Sequence, residues 1–153
     1  MVRRGILAGA MAAAAVLAWV QSAEAANWFE KNFWLSGPKY DNVAPFCENP
    51  EVLGTIQARF AQKEREFWQS KLKIVGFEKI HETSANPWRG APDSIPRRYC
   101  SGIALISDAR PRPIYYWIGE DTGWLGGDWG IEWCVVGLDR NWAYNPGCRM
   151  TRP

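Results

Sequence analysis

Between residues 98 and 138 the chain alternates apolar and polar residues in three short runs broken by turn residues, and few architectures accept that pattern. The runs RYCSGIALIS, PIYYWIGE and WGIEWCVVGL each carry the two-residue period of a strand with one face on a core. Asp108–Arg112 separates the first two, and the glycine-rich Asp121–Asp128 stretch separates the last two. Consecutive strands on short connections close as an antiparallel meander, expected over Arg98–Ser107, Pro113–Glu120 and Trp129–Leu138.

Such a sheet needs a cover, and the clearest helix lies upstream. Asn49 is suited to the N-cap, Pro50 to the first helical position and Glu51 to the positive end of the dipole. Leu53, Ile56, Phe60 and Phe67, with Ala61 and Trp68 beside them, form one apolar stripe, while Arg59, Gln62, Arg65 and Glu66 face water. Glu64 interrupts that stripe. Its position marks either a carboxylate with a buried partner or the point where the helix passes the sheet edge, and the edge is the expectation. The helix should stop near Ser70, where Lys71 and Lys73 suit its negative end. Leu72–His81 then reads as the first strand, followed by a loop over Glu82–Arg97 that contains three prolines. Loops of this length in compact domains are commonly functional, which draws attention to Trp88 and Arg89. The expected fold is α+β, with one main helix packed on a four-stranded antiparallel meander sheet.

The first residues are organised differently. Arg3 and Arg4 precede an apolar run over Gly5–Val20, and Ala23-Glu24-Ala25 forms a small-x-small cleavage site. This is the anatomy of a signal peptide over residues 1–25, and the paired arginines also suit twin-arginine export. Residues 26–48 form an aromatic arm, in which Phe29 and Phe33 sit one helical turn apart between Trp28 and Trp34. Residues 49–153 form the single α+β domain. No second apolar stretch of spanning length follows the leader, so no transmembrane segment is expected after cleavage. The formal charge of +2 gives no broad attraction to nucleic acid. Four cysteines, Cys47, Cys100, Cys134 and Cys148, all lie beyond the leader. With no C-x-x-C pair and His81 as the one histidine, they read as two disulfides in an oxidising compartment, periplasmic or extracellular.

One helix followed by a four-stranded meander, over residues 49–139, resembles the cystatin-like class of folds. The inhibitory residues of cystatins do not carry over: no Q-x-V-x-G occurs, and Pro87-Trp88 lies in the first inter-strand loop, not the last. The arrangement RRYC…YYWI…CVVGLDR…C behind a leader also resembles small exported bacterial proteins of unassigned function. Four cysteines allow three pairings, and the topology favours one of them. If the first strand folds back along the helix, its end approaches Cys47 and the next strand begins beside it, bringing Cys100 to Cys47. The residues after Leu138 can turn back so that Cys148 meets Cys134.

Ten tryptophans supply the functional signal, and Trp117, Trp124, Trp129, Trp133 and Trp142 cluster around the last hairpin. Indoles offer flat apolar faces with one donor, suited to sugars, quaternary ammonium groups or protein interfaces. Ile114, Tyr116 and Ile118 share one face of their strand and Tyr115 and Trp117 the other. Ile131, Trp133 and Val135 likewise oppose Glu132, Cys134 and Val136. A single helix covers one face, so some rings should remain on the other. The leading expectation is an exported binding module contacting an unidentified protein or glycan of the cell envelope through Trp88, Arg89, Trp117, Trp124, Trp129 and Trp133. No cofactor is implied. Alternatives are a glycan hydrolase using Glu120, Asp128 or Glu132, and a periplasmic inhibitor or structural protein of the envelope. Asp121–Glu132 imitates a calcium loop at its first, sixth and twelfth positions, but Gly123 and Leu125 offer no side-chain oxygen. His81 has no evident nucleophile beside it, and Arg97-Arg98 reads as a solvated pair.

Overall fold

The computed structural model describes residues 40–89, 95–123 and 128–153. The expected leader, the part of the expected aromatic arm before Tyr40, and Trp124 lie outside these described residues. The domain is one helix, α1 (Pro50–Trp68), and four strands, β1 (Ile74–Asn86), β2 (Arg97–Ile106), β3 (Pro111–Gly119) and β4 (Gly130–Val135), with a 3-10 turn at Arg149–Thr151. The strands pair antiparallel in sequence order, β1-β2-β3-β4, so the sheet is the expected α+β meander.

The helix starts and stops where its residues dictate. Asn49 Oδ1 accepts from the Glu51 N–H at 2.8 Å, and Pro50 needs no donor partner in the first turn. At the other end Gln69 takes a left-handed conformation, and the Ser70 N–H closes on the Glu64 carbonyl at 2.9 Å. Its buried ridge is Val52, Ile56, Phe60 and Glu64, four residues apart each time. Two expectations change here. Phe67 shares the angular position of the ridge but is 72% exposed, so the buried ridge ends at Glu64. Glu64 is 2% exposed and bound by Arg140 Nη2 at 2.9 Å, so it is the carboxylate with a buried partner rather than the mark of the sheet edge.

Beneath the ridge lie Ile74 of β1, Ala104 and Ile106 of β2, Ile114, Tyr116 and Ile118 of β3, and Ile131 and Val135 of β4. The Tyr116 hydroxyl donates to the Cys47 carbonyl at 2.7 Å, and burial pushes its phenol above the ordinary range. β2 and β3 pair without a break from Arg97↔Gly119 to Leu105↔Pro111. β1 runs five residues further than expected, to Asn86, and the loop that follows is shorter to match. The added residues are polar apart from Ala85 and pair with β2 through their backbone, so no apolar alternation announces them. β1 also shifts register at Ile74/Gly76, Glu78/His81 and Glu82/Ser84. At the second shift Lys79 takes φ +54°, and a Cβ on Gly102 of β2 would lie 2.4 Å from the Ile80 side chain. A methyl there would force the Ile80 side chain aside and press on the Glu78 carbonyl, 3.1 Å away.

Cys47 pairs with Cys100 and Cys134 with Cys148, as the topology favours, with Cα atoms 5.8 and 5.6 Å apart. The second bond brings the tail across the sheet face away from α1. There Cys148 and Thr151 are buried, and the Arg152 guanidinium sits 3.9 Å from the Tyr115 ring centre.

Candidate functional site: a groove between the helix and the last strand

Among the described residues β4 has β3 on one side and no strand on the other. A groove of about 680 Å³ runs along that open side. Its walls come from three elements: Arg59, Lys63, Glu66, Phe67 and Trp68 of α1, Ile131–Trp133 of β4, and Asn141 and Tyr144 of the tail. Phe67 is available to it because its ring is exposed, unlike the rest of the ridge. Trp133 packs its inner side on Phe60 at 5.8 Å between ring centres, and Lys63 Nζ lies 5.6 Å from the same indole. The Tyr144 hydroxyl donates to the Glu132 carboxylate, and the Tyr144 N–H reaches Asp139 Oδ2 at 2.8 Å. Burial, then the bond to Glu132, raises the phenol of Tyr144 above its ordinary value. That holds Tyr144 neutral and fixed as the far wall. Arg140 lies over Trp68 at 5.4 Å while it binds Glu64, joining tail to helix at the groove's end.

The backbone of β4 contributes as much as its side chains. The Val136 N–H bonds the Pro113 carbonyl at 2.9 Å, which fixes the alternation of the ladder. Cys134 and Glu132 therefore direct their backbone groups to β3, and Ile131 and Trp133 direct theirs outward. Arg59 Nη1 confirms this by reaching the Ile131 carbonyl from outside at 3.5 Å.

The six side chains singled out by sequence do not share one surface. Trp133 lines the groove. Trp129 packs against the core on the helix side. Trp117 lies on the opposite face with the Arg97 guanidinium 4.6 Å above its ring. Trp88 belongs to the N-terminal segment: its N–H donates to Asn42 Oδ1 at 2.7 Å and its ring meets Tyr40 edge-on at 6.1 Å. Arg89 is exposed, and Trp124 is outside the described residues. Sequence reasoning missed Arg59, Lys63 and Tyr144, and it assigned Phe67 to the core. Arg59 and Lys63 carried a signal in retrospect, because cations one turn apart flank the apolar ridge. Tyr144 carried none.

The three carboxylates of the hydrolase alternative have separate employments. Glu120 is 2% exposed and accepts from the N–H groups of Asp41 at 2.6 Å and Val43 at 3.3 Å. Asp128 is exposed and accepts from the Trp129 N–H at 2.7 Å, and Glu132 holds Tyr144. His81, read as isolated, faces a serine: Ser101 Oγ lies 3.0 Å from Nε2, and Nδ1 lies 2.8 Å from the Lys79 carbonyl. The Glu78/His81 register shift makes this contact, and spacing in the sequence does not reveal it. Among the described residues no helix is long and apolar enough to cross a membrane. Compared with known protein families, curated proteins and solved structures, the chain matches none.

Proposed function

We propose that the chain is an exported binding module of the periplasm or the extracellular space, and that the groove along β4 is its contact site. The observation that carries the reading is Phe67, 72% exposed on a helix whose other apolar ridge residues are covered, standing over a groove with Trp133 and Tyr144. Large exposed rings around a concave site are a feature of recognition surfaces. The leader read from Arg3 to Ala25 and the two disulfides support an oxidising compartment. The order of one helix and four meander strands supports the cystatin-like reading of the fold.

Chemical-shift mapping tests the site. Labelled protein titrated with blocked peptides, N-acetylglucosamine oligomers and tetramethylammonium should show one class shifting the Trp133 indole and the Phe67 and Tyr144 rings. Phe67→Ala should weaken that class and leave the melting temperature nearly unchanged, because the ring is exposed. Shifts confined to Trp88 or Trp117, or none from any class, would reject the groove as the site.

A further inference from the structure

The outward backbone of β4 narrows the ligand class. We infer that the groove takes an extended peptide, added to the sheet as a fifth strand beside β4, with acidic side chains turned toward α1. The inference rests on the groove being the binding site.

Ile131 and Trp133 each present an N–H and a C=O to the groove, and among the described residues only the Ile131 carbonyl has a partner. That partner is the Arg59 guanidinium, at a long 3.5 Å, standing where the N–H of a neighbouring strand would stand. The Val135 carbonyl, next along the same edge, is closed by the Leu138 N–H at 3.0 Å, which sets one end of the open stretch. An edge of this kind satisfies a ligand whose own main chain alternates donors and acceptors, and a peptide does so in every register.

The charges choose among peptides. Glu66 is served by Gln62 and Arg65, and Glu132 by Tyr144. Among the described residues Arg59 meets only a carbonyl, and Lys63 only the face of Trp133. Both acids are thus already occupied, whereas both cations retain charge for a partner. On a strand beside β4, alternate side chains point toward α1, where these cations lie, and the others point toward Tyr144. Acidic residues suit the first set and apolar residues the second. A sugar stacked on Trp133 suits the site less well, because Phe60 and Lys63 already lie against that indole.

The test uses the blocked peptide acetyl-(Val-Asp)3-amide at millimolar concentration, with acetyl-(Val-Lys)3-amide as the charge control. Two further forms carry N-methyl groups, one on every valine and one on every aspartate, so that one of them blocks the edge in either register. The aspartate peptide should shift the amides of Ile131 and Trp133 and slow hydrogen exchange at Trp133. The lysine peptide should bind at least about tenfold more weakly. One N-methylated form should lose binding, and Arg59→Glu/Lys63→Glu should reverse the charge preference. Equal binding by all forms, or shifts at ring protons without the Trp133 amide, would overturn strand addition. So would protection of Trp133 that rises with protein concentration alone, which would mean that a second copy pairs there. If the sugar or ammonium probe maps to the groove and (Val-Asp)3 does not, the peptide inference falls while the binding-module reading survives. If no probe of any class maps there, both fall.

Discussion

Among the described residues β1 and β4 each lack a strand on one side, yet β1 shifts register three times in 13 residues and β4 not once in 6. Along β1 the shifts re-aim the backbone, Lys79 turns left-handed, and the second half of the strand is polar, so the edge offers no flat template. Along β4 the alternation is regular, the side chains are aromatic and apolar except for Glu132, and one guanidinium covers one carbonyl. Bulges and polar residues are how sheets protect themselves from unwanted pairing. The chain applies that protection to one edge and leaves the other within a groove. On the proposed reading, that difference is what a binding edge needs.

The largest expected effects test whether the two halves are stapled independently. Cys47→Ser/Cys100→Ser opens a link spanning 53 residues and should cost about 4 kcal/mol; Cys134→Ser/Cys148→Ser spans 14 and should cost about 3 kcal/mol. Thermal melts give the order. Only the second pair should also disturb Tyr144 and Phe67, because it frees the tail that walls the groove. A reversed order, or equal disturbance of the groove, would mean that the edges are not separate. Arg140→Ala comes next. It strands the buried Glu64 carboxylate and should cost about 3 kcal/mol in urea melts, with Glu64→Gln in the same chain restoring part of the loss. No restoration would mean that Arg140 acts through Trp68 packing alone.

Gly102→Ala strikes the opposite edge. Its methyl would meet Ile80 and should cost about 1–3 kcal/mol, with faster hydrogen exchange along β1 and unchanged exchange at Trp133. Faster exchange at Trp133 would join the edges into one unit. The smallest effect belongs to the turn between β2 and β3, where Arg112 binds both oxygens of Asp108, at 3.0 and 2.7 Å. The Arg112 hydrogen bond lowers the Asp108 carboxyl to about 2. A depressed value stabilises the fold above the unfolded carboxylate range, and the gain fades as pH falls from about 4 toward 2. An NMR titration should place Asp108 near 2, and Arg112→Gln should return it toward the ordinary range. An unchanged midpoint would assign the shift to the turn backbone.

Local signals carried most of the fold. Alternation located three strands, the cap residues located α1, and the meander made the pairing of Cys47 with Cys100 and of Cys134 with Cys148 the favoured one. The site was harder to read, because its parts depend on where elements end. Phe67 repeats at core spacing, and only the reach of the sheet decides that it faces out. Glu64 looked misplaced until the tail delivered Arg140 to it. The end of β1 was hidden because His81–Asn86 pair through main-chain groups, which leave no trace in side-chain periodicity. The tryptophans were a strong compositional signal and a poor spatial one: Trp88, Trp117, Trp129 and Trp133 serve four different neighbourhoods.

The Glu120 carboxylate and the Tyr116 hydroxyl have one habit in common. Both grip main chain: Glu120 takes the N–H groups of Asp41 and Val43, and Tyr116 takes the carbonyl of Cys47. A segment held by its peptide groups is read for shape and not for spelling. At position 43, whose side chain is exposed, the clamp is indifferent to the side chain, and proline, which has no N–H to give, is the one residue it refuses. The Tyr116 hydrogen bond and the Cys47–Cys100 bridge hold the same residue, so main chain and sulfur fasten the segment at one point.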